Sequence, residues 1–188
     1  MSGPALVLVG PPTSGKTTVG RAVAAARGLG FRDTDADVEA STGRSVADLF
    51  VDEGEEFFRA QEEAAVVRAL AEHDGVLALG GGAVLSAATR GLLVAHGRAG
   101  AAVVWLDVDL ATAAQRAGFS QARPLLAVNP RAVLRTLLEA RAPLYAEVAT
   151  ATVPTGGRSR EEILAEVLHA VRERPSGAVP TSHDRSAR

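Results

Sequence analysis

Residues 10–17, which read GPPTSGKT, have the spacing of glycine, lysine and threonine that binds the phosphates of a nucleotide. The glycines let the backbone curl until its N–H groups point at a phosphate. Lys16 supplies a cation for the phosphates, and the Thr17 hydroxyl can bind Mg²⁺. The alternative is an ordinary strand-to-helix turn, which the apolar run before the segment and the helix-like run after it disfavour. The segment predicts a nucleoside triphosphate site and leaves the acceptor of the phosphate open.

Two aspartates follow the next predicted strand. Asp33 and Asp35 are two residues apart, so in an extended segment they share a face. They would lie at the carboxyl edge of the sheet, where doubly wound folds bind ligands. Carboxylates beside phosphates could hold Mg²⁺ through water and orient a hydroxyl. The alternative, weighted evenly from the residues alone, is a helix cap, with Asp35 as the N-cap of a helix that begins near Ala36.

A run of three glycines, Gly80, Gly81 and Gly82, ends another apolar segment. Many phosphate-loop proteins carry a metal-binding aspartate at the end of such a strand, and this strand has none. Three glycines let a ligand approach the backbone and meet its N–H donors, although a flexible turn is the alternative. Asp107 follows a later apolar run, and we interpret it as a strand-end or helix-cap residue because Asp33 can already serve a metal.

Four arginines are candidates for binding anions. Arg59 lies among acidic residues on a predicted helix, where a solvated salt-bridge face is the alternative. Arg116 and Arg123 flank a short loop of Gly, Ser and Gln, which could close over a transferring phosphate. Arg141 stands just before Ala-Pro in a predicted helix. Arg59 and Arg141 together could form a fork for a substrate carboxylate.

The elements that must position these residues alternate between short apolar runs and longer amphipathic segments. Continuous apolar runs are typical of strands buried on both faces, and they occupy residues 5–10, 75–80 and 101–106, with a weaker run at 149–153. A brief strand is also expected near residues 30–32. The helix-like segments are residues 16–27, 52–72, 86–95, 109–117, 130–148 and 159–172. The alternation predicts a parallel sheet covered by helices.

Composition narrows the class of protein. The chain has 188 residues, 47% of them hydrophobic, which suits one domain with a sizeable core. Its net charge of -2 gives no general attraction to nucleic acid or to an anionic membrane, so neither is an expected partner. It has no cysteine, which excludes disulfides and thiolate metal sites, and it lacks an apolar run of the roughly 18 residues that span a bilayer. We expect a cytoplasmic monomer.

Taken together, the segments GPPTSGKTT, DTD, GEEFFR, LGGGAV, RPLL and RAPLY occur in an order and spacing that resembles the shikimate kinase family. The resemblance implies a phosphate-loop three-layer α/β/α fold like that of nucleoside monophosphate kinases, with a five-stranded parallel sheet of strand order 2-3-1-4-5. It implies one domain over residues 1–174, with a substrate-binding region near 34–62 and a lid near 114–126. Residues 175–188 are polar and rich in Pro, Gly and Ser, and we expect a disordered tail there.

The resemblance implies ATP-dependent phosphorylation of the 3-hydroxyl of shikimate, a step toward chorismate and the aromatic amino acids. Mg²⁺ is the implied cofactor, held by Thr17 and, through water, by Asp33. The residues implied to bind ATP are Gly10, Pro11, Pro12, Thr13, Ser14, Gly15, Lys16, Thr17, Thr18, Arg116, Arg123 and Arg158. The residues implied to bind shikimate are Asp35, Arg59, Gly81, Gly82 and Arg141. Lys16, Asp35 and Arg123 are the implied catalytic residues.

One departure from the family pattern lies in the phosphate loop, where Thr13 replaces the usual glycine. Two alternatives to this function remain. A small-metabolite kinase of the same fold, such as a gluconate kinase, would also need a carboxylate clamp, although the DTD, GGG and RPLL segments favour shikimate. A non-catalytic nucleotide-binding module is the other, and the complete set of predicted catalytic side chains argues against it.

Overall fold

A five-stranded parallel sheet forms the centre of the molecule. The computed structural model describes residues 3–118 and 129–172. The strands are β1 (Leu6–Val9), β2 (Phe31–Asp33), β3 (Val76–Ala78), β4 (Ala102–Asp107) and β5 (Ala151–Pro154). They lie in the order β2-β3-β1-β4-β5, and each neighbouring pair is parallel. The predicted fold class and strand order are confirmed.

Helices cover both faces of this sheet. Within the described ranges they are α1 (Lys16–Arg27), α2 (Thr34–Thr42), α3 (Val46–Asp52), α4 (Gly54–Glu72), α5 (Ala87–Arg98), α6 (Leu110–Arg116), α7 (Pro130–Val148) and α8 (Arg160–Arg172). Hydrophobic periodicity did not predict α2 and α3, although a helix beginning near Ala36 was one alternative for the two aspartates, and it placed the start of α4 at Asp52, which instead ends α3. Both helices are short, with nine and seven residues, and each has a side-chain cap, from Asp33 and from Ser45.

The core has one layer on each face of the sheet. On one face, α1 and α8 bury Val23 and Val167 against the strands. On the other, α4 and α7 bury Val66 and Val148. Because both faces are covered, the central strands β1 and β3 are apolar along their whole length rather than alternating. A smaller cluster around Phe58 joins α2, α3 and α4 beside the sheet.

All strands point the same way, so their carboxyl ends meet at one edge. The phosphate loop follows β1, Asp33 ends β2, and the glycine run follows β3. The sheet therefore brings together three segments that are separated in sequence. Of the predicted lid, residues 119–126 lie outside the described ranges, as does the predicted tail. None of the helices in the described part of the chain is long and apolar enough to cross a membrane.

Candidate active site

The phosphate loop is shaped by glycines where other residues would not fit. Gly10 has a φ of 147°, and a Cβ added to it would lie 2.7 Å from the Leu106 carbonyl oxygen. Gly15, with a φ of 96°, precedes the first residue of α1. Lys16 Nζ donates hydrogen bonds to the carbonyl oxygens of Gly10 (2.8 Å) and Pro11 (2.9 Å). The lysine thus lies across the loop that its sequence motif predicts it to serve.

Thr13 adopts a left-handed conformation inside this loop. Its φ is 67°, a value that is strained for a β-branched residue. Its hydroxyl oxygen is buried and has no hydrogen-bond partner. The Arg116 guanidinium braces the loop from outside, because Nη1 donates to the Thr13 carbonyl at 3.2 Å and Nη2 donates to the Thr155 carbonyl at 3.1 Å. The position that departs from the family pattern is therefore strained and held in place by an arginine about a hundred residues away.

Thr17 and Asp33 meet at the end of β2. The Thr17 hydroxyl donates to Asp33 Oδ2 at 2.7 Å, so two oxygens of the type that Mg²⁺ prefers are adjacent. Asp33 Oδ1 accepts a hydrogen bond from the Asp35 backbone N–H at 3.1 Å. Asp33 is consequently the N-cap of α2, and the interpretation of Asp35 as that cap is wrong. The Asp35 side chain is left free of the cap and faces the site.

Burial shifts the pKa values of the two charged groups at the centre of the site. Burial, together with the nearby carboxylates of Asp33 and Glu62, raises the pKa of Asp35 to about 6, while Lys16 opposes the shift. Burial lowers the pKa of Lys16 to about 8, against the attraction of Asp35 and Asp33. At neutral pH both groups are still mostly charged, and a carboxylate with a pKa near the working pH suits proton transfer.

A pocket of about 280 Å³ connects these groups to the glycine run. It is lined by Pro12, Thr13, Gly15, Lys16, Thr17, Thr18, Asp33, Asp35, Leu79 and Gly81. Phosphate-loop residues and the two aspartates thus share one cavity. A phosphate held by the loop would lie beside any group that Asp35 binds.

The glycine run is needed for close approach rather than for turning, because none of its three residues has a positive φ. A Cβ on Gly80 would lie 2.5 Å from Asp35 Oδ1, and one on Gly81 would lie 2.8 Å from Pro12 Cδ. A Cβ on Gly82 would overlap the guanidinium of Arg59. The groups that approach the run this closely are protein groups, and the interpretation that a ligand meets its backbone N–H donors stays a prediction.

Arg59 is held by acids and aromatic rings. Its Nη1 donates to Glu62 at 2.6 Å and its Nη2 donates to Glu55 at 3.1 Å. The guanidinium also lies over the rings of Phe50 (5.5 Å) and Phe58 (5.3 Å). Only 24% of the side chain is exposed. The residue is therefore not on a solvated salt-bridge face but in a fixed position beside Gly82.

Arg141 reaches the same glycine run from α7. Its Nη1 donates to the Gly81 carbonyl at 3.0 Å, and the phenol of Tyr145 donates to the same oxygen at 2.6 Å. Pro143 lies inside α7 between them, and the helix continues through it. Arg59 and Arg141 thus approach Gly82 and Gly81 from two different helices, and their role as a fork for a substrate carboxylate stays a prediction.

The structure adds site residues that sequence reasoning missed. Glu62 is 3% exposed, pairs with Arg59, and has a pKa raised by burial. Burial raises the pKa of Tyr145 to about 12, so its phenol remains a hydrogen-bond donor to Gly81. The hydroxyl of Thr34 accepts from the Gly80 backbone N–H at 2.9 Å. In the sequence, Glu62 is one of several acidic residues in the same segment, and only its burial in the folded protein distinguishes it from the others.

A second pocket of about 380 Å³ adjoins the phosphate loop on the α1 and α8 side. Its lining residues are Thr13, Ser14, Gly15, Thr18, Val19, Arg116, Arg158, Arg160 and Ile163. The structure therefore brings Arg116 and Arg158 to one cavity. Arg158 forms an ion pair with Glu166 on α8. Arg123, predicted to reach the phosphates, lies outside the described residues.

Comparison with known proteins points to one family. A family model described as shikimate kinase matches residues 12–172. The shikimate kinase of Salinispora arenicola is 57% identical over 164 residues, which are 87% of this chain and 95% of that protein.

Solved structures give the same result. The shikimate kinase of Acinetobacter baumannii, solved in complex with shikimate, is 36% identical with a TM-score of 0.80, over 92% of this chain and 94% of that one. A gluconokinase from Sinorhizobium meliloti is less similar, at 26% identity and a TM-score of 0.59, over 90% of this chain and 92% of that one.

Proposed function

Because this chain belongs to the shikimate kinase family, we propose that it transfers the γ-phosphoryl group of ATP to the 3-hydroxyl of shikimate, giving shikimate 3-phosphate and ADP. The observation that carries the proposal is the cavity shared by Lys16, Asp35 and Gly81. It joins the phosphate loop to the arginine-flanked glycine run, so donor and acceptor would meet inside it. Phosphoryl transfer depends mainly on such positioning and on stabilising charge.

The nucleotide half of the site holds the phosphates. Residues 10–18 provide the loop and its backbone N–H groups, and Lys16 provides the cation. Thr17 and Asp33 are the side chains that would hold Mg²⁺, whose charge screens the phosphates when it is bound. The described residues contain no cluster of three or more metal-binding side chains. Such a sparse set suits a Mg²⁺ ion that the nucleotide phosphates help to hold.

The acceptor half of the site orients shikimate. Asp35 would accept the proton of the attacking hydroxyl, and its pKa of about 6 supports this role because the carboxylate is ionised at neutral pH. Arg59 and Arg141, on either side of the glycine run, would bind the shikimate carboxylate. Gly81 and Gly82 would let the ring approach the backbone. In this proposal, Arg123 stabilises the charge on the transferring phosphoryl group.

A coupled assay of ADP formation tests the function. We expect ATP consumption that depends on shikimate and on Mg²⁺, with gluconate at the same concentration giving no more than the background hydrolysis. ATP consumption with gluconate and not with shikimate would identify the alternative small-metabolite kinase. ATP binding with no turnover on either acceptor would identify the non-catalytic module.

We also propose that the enzyme acts as a cytoplasmic monomer of one domain. The support for one domain is that the described residues of the shared cavity lie at the edge of a single sheet. Light scattering coupled to gel filtration checks the monomer, with an expected mass near 19.3 kDa.

A further inference from the structure

The three backbone N–H groups of the glycine run differ in their partners. The Gly80 N–H donates to the Thr34 hydroxyl at 2.9 Å, and the Gly82 N–H donates to the Glu62 carboxylate. Within the described residues, the Gly81 N–H has no protein partner. Gly80 and Gly82 are buried, whereas Gly81 is partly exposed and lines the cavity shared with the phosphate loop. Because backbone donors in folded proteins are normally paired, the Gly81 N–H is the donor of this run that remains for a ligand.

The Gly81 carbonyl, in contrast, accepts two hydrogen bonds, and both come from α7. The Tyr145 phenol donates at 2.6 Å, and Arg141 Nη1 donates at 3.0 Å. The two donors are four residues apart and therefore lie on one face of the helix. Because a peptide group is planar, holding this carbonyl holds the whole peptide group that joins Gly81 to Gly82. Glycine has the most flexible backbone of all residues, so these two bonds restrict the run next to its free N–H.

Of the two donors, Tyr145 is the one that the core holds in place. It is 1% exposed, and its ring stacks on Trp105 with 5.8 Å between the ring centroids. Burial raises the pKa of Tyr145 to about 12, so the phenol stays protonated and able to donate at neutral pH. Arg141 has a long side chain with further N–H groups that a bound carboxylate would compete for. Tyr145 therefore anchors the Gly81 carbonyl in the same way with and without a ligand.

We propose that Tyr145 is a positioning residue for the acceptor, whose phenol holds the Gly81 peptide so that the free Gly81 N–H is ordered before shikimate binds. Binding then costs less conformational entropy, because the glycine run does not have to be fixed by the ligand. The shared acceptor also keeps the Arg141 guanidinium beside the run. Tyr145 acts through Gly81 and Arg141 and is not itself a catalytic residue. The inference rests on the proposed function, because it takes shikimate as the ligand of the glycine run.

Tyr145→Phe tests the assignment, because it removes the hydroxyl and keeps the ring that packs on Trp105. The dissociation constant for shikimate, measured by calorimetry without nucleotide, should rise about three- to tenfold, the scale of one neutral hydrogen bond. The KM for shikimate should rise by a similar factor. The kcat at saturating shikimate, the KM for ATP and the dissociation constant for ADP should be unchanged. A tyrosine that only stabilises the fold would not affect one substrate selectively.

Thr150→Val is the matched control, since the Thr150 hydroxyl also donates to a backbone carbonyl, that of Val103 at 3.0 Å. This bond lies near the amino end of β4, at the opposite edge of the sheet from the site. Both variants should lower Tm, and only Tyr145→Phe should weaken shikimate binding.

Two results would overturn the proposal. One is an unchanged dissociation constant for shikimate in Tyr145→Phe. The other is a loss that is equal for shikimate and ADP, or equal in Thr150→Val, which would show a general disturbance of the fold. Wild-type protein that does not bind shikimate would instead contradict the proposed function, so the two failures are distinguishable.

Discussion

The two halves of the site are built in different ways. The phosphate-binding half is one continuous loop, residues 10–18, whose shape depends on backbone conformation at Gly10 and Gly15. The acceptor-binding half assembles side chains from separate helices around the glycine run, with Asp35 on α2, Arg59 on α4 and Arg141 on α7. The first half is thus a local property of the chain, and the second exists only in the folded molecule.

The halves also differ in how they are stabilised. The acceptor half holds charges that compensate one another away from water, since Glu62 is buried against Arg59 and burial raises its pKa. Removing one partner of such a set leaves another charge unpaired, which is costly. The phosphate loop also holds a buried charge, Lys16, and in addition stores backbone strain at Thr13, which is worth less than a buried charge. Substitutions of charged groups in the acceptor half should therefore have larger effects than relief of the strain at Thr13.

The largest effect is expected at Asp35. Asp35→Asn keeps the shape of the side chain and removes both its charge and its ability to accept a proton, so kcat should fall by about 10²–10⁴-fold. Excess Mg²⁺ should not restore activity, because Asp35 is free of the Thr17–Asp33 pair. Steady-state assays at several Mg²⁺ concentrations, with ATP saturating, measure both parts of the prediction.

Asp33→Asn is the matched control for that variant. Its defect should appear as a higher Mg²⁺ requirement, partly rescued by excess metal, with the KM for shikimate nearly unchanged. Some loss of stability should accompany it, since Asp33 also caps α2. Rescue of Asp35→Asn by Mg²⁺, with none for Asp33→Asn, would mean that the two aspartates have exchanged roles.

The second largest effect is expected at Arg141. Arg141→Ala should raise the KM for shikimate at least thirtyfold, since removing one partner of a buried charge pair costs about 2 kcal/mol or more. The KM for ATP should change little, because Arg141 contacts Gly81 rather than the phosphate loop. Arg135→Ala, an exposed arginine on the same helix, is the control. An unchanged KM for shikimate in Arg141→Ala would show that Arg141 does not bind shikimate and only supports Gly81.

A smaller effect is expected from a single methyl group on the glycine run. In Gly82→Ala the new Cβ would overlap the Arg59 guanidinium, which is the flexible end of a side chain and must shift. We expect roughly a tenfold loss of shikimate affinity with ATP affinity unchanged. Gly91→Ala on α5 is the control, because an added Cβ there meets nothing within 4 Å. Equal shikimate affinity in the two variants would show that the position of Arg59 does not matter for the acceptor.

The same contrast explains what could be predicted from the sequence. Continuous apolar runs predicted the inner strands because these are buried on both faces, and the phosphate loop was found because its residues are consecutive. Glu62 and Tyr145 were missed since their roles depend on burial and on tertiary contacts. The resemblance to a family supplied the acceptor residues, whereas spacing alone left Asp33 and Asp35 unresolved.

The smallest effect is expected in the phosphate loop and has the opposite sign. Thr13 has a φ of 67° and a buried hydroxyl without a partner. Thr13→Gly removes strain worth about 1–2 kcal/mol at an entropic cost of about 0.5–1 kcal/mol. The free energy of unfolding should rise by about 1 kcal/mol, which corresponds to roughly 2–4 °C in Tm for a chain of this size. Thermal unfolding without nucleotide measures it.

Asn129→Gly provides the comparison that makes this prediction specific. Asn129 is the other non-glycine residue with a positive φ in the described ranges, at 51°. Unlike that of Thr13, its side chain has a partner, because it accepts the Ala132 backbone N–H at 3.2 Å and caps α7. Asparagine also tolerates this conformation better than a β-branched residue does. Asn129→Gly should therefore leave the free energy of unfolding unchanged or lower it by up to a few tenths of a kcal/mol. Its Tm should not exceed that of the wild type. A lower Tm for Thr13→Gly than for the wild type would contradict the prediction. It would show that Thr13 adopts its conformation without strain and that its side chain stabilises the phosphate loop.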